Sequence, residues 1–496
     1  MHPFARASQA LQDVRQPGFE TVNLQDELRA IVGANNVIAG ADADPYLVDW
    51  RGRYKGRAQA VVRPGNTEEV ATVMRLCHQH KTPVVTQGGN TGLCGGATLD
   101  ESGDAIVLSL SRLNTIRAID IDNDTLVVDA GCTLSTVQEA ARNVGRLFPL
   151  SLAAEGTCTI GGNLATNAGG TQVLRYGNAR DLTLGLEVVT PEGDIWHGLR
   201  GLRKDNTGYD LRDLFIGSEG TLGIITGATL KLYPRPAAQR TAMLALDSLD
   251  NAIRLLAHAK SGFGPSLTAF EVMAGSVLHD VVRLFPPQRL PFEGPSGEAP
   301  YFALLELSDM EGEAHAQAQF ETVLGAAMED GLVLDAAIAE NLTQSKAFWH
   351  LRESVPLAEA NPGKSIKHDV SVPISAIAEF VSAADAALKA CFPTMSTIVF
   401  GHLGDGNVHY NVSRGADQTE EQVVALTKEV YAIVHDIAHR LGGSISAEHG
   451  IGQHKRDELP RYKHAVELRL MRQIKTALDP HNLMNPGKVL PQADAR

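Results

Sequence analysis

Apolar positions along this chain recur with two periods, and the switches between them mark out the elements. Residues 58–64 (AQAVVRP) form a short apolar run that predicts a strand. Residues 66–81 change to a helical period: Val70, Val73, Met74 and Cys77 form one stripe, Asn66 or Thr67 caps the start, and Glu68 and Glu69 suit the first turn. PVVTQ then runs from a strand into a glycine-rich loop. DAIVLSL and TLVVDAG predict further strands, and TLSTVQEAARNVG a helix. LGLEVVTPEGDIWH predicts a hairpin closed by Pro-Glu-Gly, and GTLGIITGATLKLYP a strand rich in β-branched residues. Pro234 and Pro236 mark a boundary. Beyond it the strands MLALDS, LTAFEVM, YFALLELS, STIVFGH and VHYNV alternate with long helices at 249–262, 313–330 and 375–392. That texture predicts an α+β arrangement with helices covering a mostly antiparallel sheet. Residues 286–300 read as a loop.

Composition narrows the class. A chain of 496 residues, 44% hydrophobic and 21% charged, is long enough for two or three domains of a soluble globular protein. A formal charge of -14 argues against nucleic acid as a partner. The five cysteines (Cys77, Cys94, Cys132, Cys158 and Cys391) are scattered without a C-x-x-C pair, which argues against a disulfide framework, a zinc ribbon and a cysteine-ligated iron–sulfur cluster. The first twenty residues lack the apolar core of a signal peptide, and no run of about 18 apolar residues predicts a transmembrane segment. The expected location is cytoplasmic, or mitochondrial if the source is eukaryotic.

Two features carry candidate chemistry. In FGHLGDGNVHYNV (400–412), a hairpin centred between Asp405 and Gly406 would set His402 opposite His409, with Cβ atoms about 4.5–5.5 Å apart. Two rings on one face suit a shared ion, although two histidines beside a turn are also compatible with a plain surface loop. GGNTGLCGG (88–96) and GTCTIGGNLATNAGG (156–170) follow strands, and their backbone N–H groups suit a nest for phosphate oxygens. Flexible surface loops are the alternative. Neither tract has the G-x-G-x-x-G arrangement of a Rossmann fold.

From about 55 to 235 the chain resembles the FAD-binding domain of the vanillyl-alcohol oxidase/p-cresol methylhydroxylase (PCMH) family, on VVTQGGNTGLCGGA, PLSLAAEGTCTIGGNLATNAGG and GSEGTLGIITGATLKLYP. The second half is similar to the FAD-linked oxidase C-terminal domain, in the branch of the D-lactate and D-2-hydroxyglutarate dehydrogenases. That match rests on RESVPLAEANPGKSIKHDVSVP, GHLGDGNVHYNV, SAEHGIGQHKR and LDPHNLMNPGKVLP. The resemblance implies a PCMH-type FAD-binding domain of two α+β subdomains, a substrate-binding cap of antiparallel sheet covered by helices, and a C-terminal helical segment. The expected divisions are 1–54 (an N-terminal helical segment), 55–235, 236–440, and 441–496 returning to the flavin site.

By the same resemblance Gly88, Gly89, Asn90, Thr91 and Gly92 cradle the FAD pyrophosphate. Thr157, Gly161, Gly162, Asn163, Thr166 and Asn167 line the cofactor, and Gly220, Gly223, Ile224 and Asn485 contact it further on. Covalent relatives carry a histidine in the first loop, whereas Asn90 predicts non-covalent FAD. Glu448 joins His402 and His409 as a two-histidine, one-carboxylate set for a divalent metal, with zinc expected and manganese or cobalt as alternatives. His449 is implied as catalytic base. Arg352, Lys367 and Asn411 are implied as substrate-binding residues. The 2-hydroxyglutarate enzymes place a threonine four residues after the arginine; Pro356 stands here, with Ser354 as a nearby substitute. The implied activity is oxidation of a D-2-hydroxy acid, of the D-2-hydroxyglutarate or D-lactate type, to the 2-oxo acid with hydride transfer to flavin N5. The electron acceptor stays open between an electron-transfer flavoprotein and a quinone, and the assembly is open to a homodimer. A metallohydrolase, which leaves the glycine tracts idle, and a flavoprotein without metal-dependent catalysis are the alternatives.

Overall fold

The computed structural model describes residues 23–359, 365–415 and 418–491. The reading of the first twenty residues, and the start of the expected 1–54 segment, lie outside them. The described part of that segment holds the helix Leu24–Val32 and a short helix Asp44–Leu47.

The first half contains two main sheets, with a short two-stranded pair (Arg146–Leu147 and Tyr233–Pro234) beside them, over a large core and a smaller one around Val61, Val85 and Val107. A four-stranded sheet runs Val37–Ile38, Val61–Val62, Ile106–Ser109, Val84–Gln87, and its last three strands are parallel. A five-stranded antiparallel sheet runs Ile116–Asp120, Thr125–Asp129, Ile224–Lys231, Thr183–Val189, Ile195–Gly198. The helix Thr67–His80 forms because Asn66 caps it, its side chain accepting from the Glu69 N–H at 2.8 Å. Its stripe of Val70, Val73, Met74 and Cys77 is buried with Ile106 and Leu108 of one sheet and Leu186 and Val188 of the other. The chain returns to this half near its end: the Val84 N–H donates to Leu483, and the Asn485 N–H to Val84.

The second half is a seven-stranded sheet in the order Asp335–Ile338, Ala238–Leu246, Tyr301–Asp309, Leu267–Ala274, Ser396–His402, Asn407–Ser413, Asp369–Ser371, antiparallel throughout. Helices cover both faces. Leu249–Phe263, Glu313–Glu329, Ile377–Cys391 and Thr427–Arg440 bury Leu255, Phe320, Phe380 and Val430 against one face. Gly275–Leu284 and Leu342–Glu353 bury Leu278 and Leu351 against Met273, Phe302 and Phe400 on the other. This second face turns polar where the central strands end. In register, Glu271 pairs with His402, Phe400 with His409, and Asp369 with His409 on its other side. Cross-strand partners share a face, so Glu271, His402, His409 and Asp369 stand together.

The hairpin register differs from the expected one. His402 pairs with Asn407 and His409 with Phe400, around a four-residue loop at 403–406. Two bonds hold the wider loop: Asp405 Oδ1 accepts from the Asn407 N–H at 3.0 Å, and the Gly404 N–H donates to Phe270 on the neighbouring strand. The offset is two residues, so both histidines keep the same face, with ring centroids 5.6 Å apart.

Candidate functional site

Two adjoining sites emerge, and His449 belongs to both. The first is a cleft in the first half, about 970 Å³ with its open mouth included. Its wall contains Gly88, Gly89, Asn90, Thr91 and Gly92, then Gly161, Gly162, Asn163 and Thr166, then Gly220, Gly223 and Ile224, and finally His449. Two of these glycines are required by close approach within the wall: a Cβ on Gly88 would lie 2.3 Å from Thr159 Oγ1, and one on Gly89 2.0 Å from the Thr157 carbonyl. Thr86 Oγ1, Thr159 Oγ1 and Asn163 Nδ2 are buried without a hydrogen-bond partner among the described residues. Buried polar atoms are normally paired. These unpaired atoms beside glycine-rich backbone fit a polar nucleotide cofactor such as FAD.

Three expected cofactor residues are not part of the wall: Thr157 is exposed, and Asn167 and Asn485 are engaged elsewhere. Thr157 donates to Ala154, and Asn167 accepts from the Arg180 N–H. Asn485 donates to the carbonyls of Gly96 and Glu219, bracing two wall loops.

The second site is the polar end of the seven-stranded sheet. Glu448 is pinned by one oxygen, Oε2, which accepts from the Gly170 N–H at 3.2 Å. Its other oxygen faces three imidazoles: Nε2 of His409 and of His449 at 3.7 Å, and Nε2 of His402 at 4.0 Å. These gaps are too long for hydrogen bonds. They suit ligand atoms around one cation, since two atoms each bound at about 2.1 Å can be up to about 4.2 Å apart. One ligand atom each from Asp369, His409, Glu448 and His449 also lies within 4.8 Å of the others. The donors around Glu448 therefore fit a divalent metal; Asp369, which the sequence did not suggest, and His449 stand beside His409 and Glu448 in that group, with His402 at its edge, 4.0 Å from Glu448. Glu448 and His449 reach one site because the backbone there is irregular, with Gly450 at φ 79°.

Buried carboxylates hold these side chains. Asp369 Oδ2 accepts from the N–H of Glu448 and of His449, at 3.1 and 2.8 Å, and lies 3.5 Å from His449 Nδ1. Burial would raise Asp369, but the facing His449, Lys455 and His409 hold it far below the ordinary carboxylate range. Glu271 Oε1 lies 2.7 Å from His402 Nδ1, and its Oε2 accepts from Arg352 Nε at 2.8 Å. Burial lowers an imidazole; at His402 the Glu271 charge overcomes it and raises the ring to about 9. Burial and the charge on His402 push His409 well below its usual value.

Arg352 lies over the Phe400 ring at 4.9 Å, and among the described residues Glu271 is its hydrogen-bond partner. Lys367 Nζ donates to the buried Glu359 at 2.9 Å. Asn411 is buried on the face of His409, its Oδ1 accepting from the His368 N–H. Ser354 is occupied by Gln288 at 2.7 Å, and Pro356 is exposed.

Sequence reasoning missed Glu271, Asp369 and Glu219. Glu219 lines the cleft at φ 51° and accepts from the N–H of Ile451 and of Gly452, tying the cleft to the segment that carries Glu448 and His449. The signal was available for Glu271: one acid in the apolar strand LTAFEVM calls for a buried partner.

The geometry agrees with the comparisons. The family described as "FAD linked oxidases, C-terminal domain" matches residues 235–489, and "FAD binding domain" matches residues 58–198. D-2-hydroxyglutarate dehydrogenase of Xanthomonas citri pv. viticola is 40% identical over 92% of this chain and 94% of its own. The mitochondrial D-2-hydroxyglutarate dehydrogenase of Bos taurus is 37% identical over 96% and 86%. D-2-hydroxyglutarate–pyruvate transhydrogenase of Saccharomyces cerevisiae is 32% identical over 99% of each. Among solved structures, substrate-bound p-cresol methylhydroxylase superposes with a TM-score of 0.75 at 17% identity, over 94% of this chain and 96% of the other, which shows the shared fold. Among the described residues no helix is long and apolar enough to cross a membrane.

Proposed function

This chain belongs to the FAD-linked oxidase family, in the branch of the D-2-hydroxyglutarate dehydrogenases, and on that premise we propose that it is a metal-assisted D-2-hydroxy acid dehydrogenase. It is an FAD-dependent oxidoreductase acting on a CH–OH group. The observation that carries the metal-assisted reading is His449, which lines the flavin cleft and faces the His/Glu cluster at once.

In this reading residues 55–235 hold FAD non-covalently, residues 236–440 form the cap, and residues 441–496 return to the flavin. Bound FAD would supply the two-electron acceptor, taking the Cα hydride at N5. A divalent cation, zinc first, would supply Lewis-acid polarisation of the hydroxyl, held by Glu448 with His409 and His402. His449 removes the hydroxyl proton through Nε2, and Asp369, which accepts from the His449 backbone N–H, faces the other ring nitrogen at 3.5 Å. Arg352, beside His402 through their shared carboxylate, presents its terminal nitrogens to the substrate carboxylate. Lys367 and Asn411 complete the binding set. The names of the relatives support D-2-hydroxyglutarate as first substrate. Pro356 removes one hydroxyl from the distal end and keeps D-lactate in the comparison. The yeast relative's name adds a 2-oxo acid to the candidate electron acceptors, beside an electron-transfer flavoprotein and a quinone.

The test is dye reduction over D- and L-2-hydroxy acids before and after chelation. D-isomers should reduce the dye, and chelation should abolish the rate while flavin absorbance stays with the protein. Zinc, manganese or cobalt should restore it. Activity that survives complete metal removal, or confined to L-isomers, sinks the reading.

A further inference from the structure

Glu271 is the sole charged residue in the strand Leu267–Ala274, and it is 1% exposed. Its two oxygens go to two different parts of the site. Oε1 meets His402 Nδ1 at 2.7 Å, and Oε2 accepts from Arg352 Nε at 2.8 Å. We infer that Glu271 is a positioning residue that couples the metal ligand His402 to the carboxylate-binding Arg352, so that one buried side chain sets both metal affinity and substrate affinity. This rests on the metal reading proposed above.

The donor arithmetic is restrictive. Arg352 Nε can only donate, and with a carboxylate at Nδ1 the His402 ring donates there as well. In the neutral ring that a metal would bind, that leaves Nε2 with its lone pair on the side facing Glu448, 4.0 Å away. Glu271 is itself held rigidly, because its backbone pairs in register with His402 across the sheet. The Arg352 plane is fixed from a second direction by Phe400 at 4.9 Å, whose ring lies 4.8 Å from His409. Two donors thus face two acceptor oxygens. A glutamine whose oxygen accepts from Arg352 has only an amide donor left for His402 Nδ1, which puts the ring proton on Nε2, the nitrogen that faces Glu448.

The experiment compares FAD-loaded wild type, Glu271→Gln and Glu271→Asp after chelation. Zinc affinity is read by calorimetry. KM and kcat for the D-2-hydroxy acid are then read at saturating zinc. Glu271→Gln should keep FAD and melting temperature, bind zinc about 10–100-fold more weakly, and at saturating zinc still show KM raised about tenfold with kcat less affected. Glu271→Asp keeps both acceptor oxygens and should fall between it and the wild type in both readouts. Glu271→Gln within twofold of wild type in both readouts overturns the inference. Loss of fold or FAD in both variants also overturns it, by marking Glu271 as structural. A wild type that takes up no zinc fails the metal reading itself, and the coupling with it.

Discussion

The three histidines around Glu448 differ in what holds their other ring atom, and this separates their roles. His402 is tied to Glu271 and His449 faces Asp369, whereas His409 is packed between the Phe400 and His449 rings, at 4.8 and 5.7 Å. His449 alone of the three also lines the flavin cleft. Replacing it with alanine should slow flavin reduction by about 10²–10⁴-fold, the usual cost of losing a general base, with a smaller effect on substrate affinity. A stopped-flow trace with an unchanged reduction rate would remove His449 from that role. Elsewhere, a buried acid sets a pH dependence of stability. Glu306 accepts from Trp349 Nε1 at 2.8 Å, and burial, opposed by hydrogen bonds, raises it from 4.5 to about 7. A raised folded-state pKa means the folded chain holds the extra proton in that window. The group's stabilisation is full below about pH 4.5 and is lost as pH rises through 7. Glu306→Gln removes the titration. Relative to wild type it should gain stability between pH 5 and 8, with an upper limit on the order of 3 kcal/mol at 1.36 kcal/mol per unit. Denaturation midpoints at the two pH values check this; a constant difference between the proteins refutes it.

At the scale of elements, what periodicity and local capping determine was readable, and what side chains reach across the sheet to do was not. The helix at Thr67–His80 was legible because its cap, its acidic first turn and its stripe are all local. Asn66→Ala should therefore cost about 1 kcal/mol, measured as a shift in denaturation midpoint, while FAD content is unchanged. A neutral effect would mean that packing against the two sheets, not the cap, sets the helix start. The His402/His409 hairpin shows the intermediate case. Its face was readable from the period of two, and an offset of two residues preserves that face. Its register was not, because the loop is fixed by a bond to Phe270, more than a hundred residues earlier. Asp369 and Glu219 were illegible for the same reason. Each acts through backbone N–H groups of 448–452, which only the folded chain brings near.

For the whole molecule, the halves were legible through motifs that lie within single loops, while their junction was not. Part of the junction is the 446–452 segment, which brings His449 to the flavin cleft and buries Cys94 against Gly450, and part is Arg175, which donates to the Ser266 and Ser308 carbonyls. The 446–452 segment also decides how FAD is held. A covalent link needs a nucleophile on the cleft wall, and the histidine and cysteine there are His449 and Cys94. His449 has one ring nitrogen facing Asp369 and the other facing Glu448. Cys94 donates its thiol to the Gly450 carbonyl, and burial pushes it up to about 12, so it stays a thiol rather than the reactive thiolate. Position 90 is an asparagine that donates to Val48 and offers no nucleophile. All flavin should consequently leave the polypeptide on acid precipitation, and Cys94→Ala should release it identically. Flavin fluorescence that stays with the washed precipitate, and survives in the Cys94→Ala protein, would move the attachment to His449 and remove that ring from acid–base work.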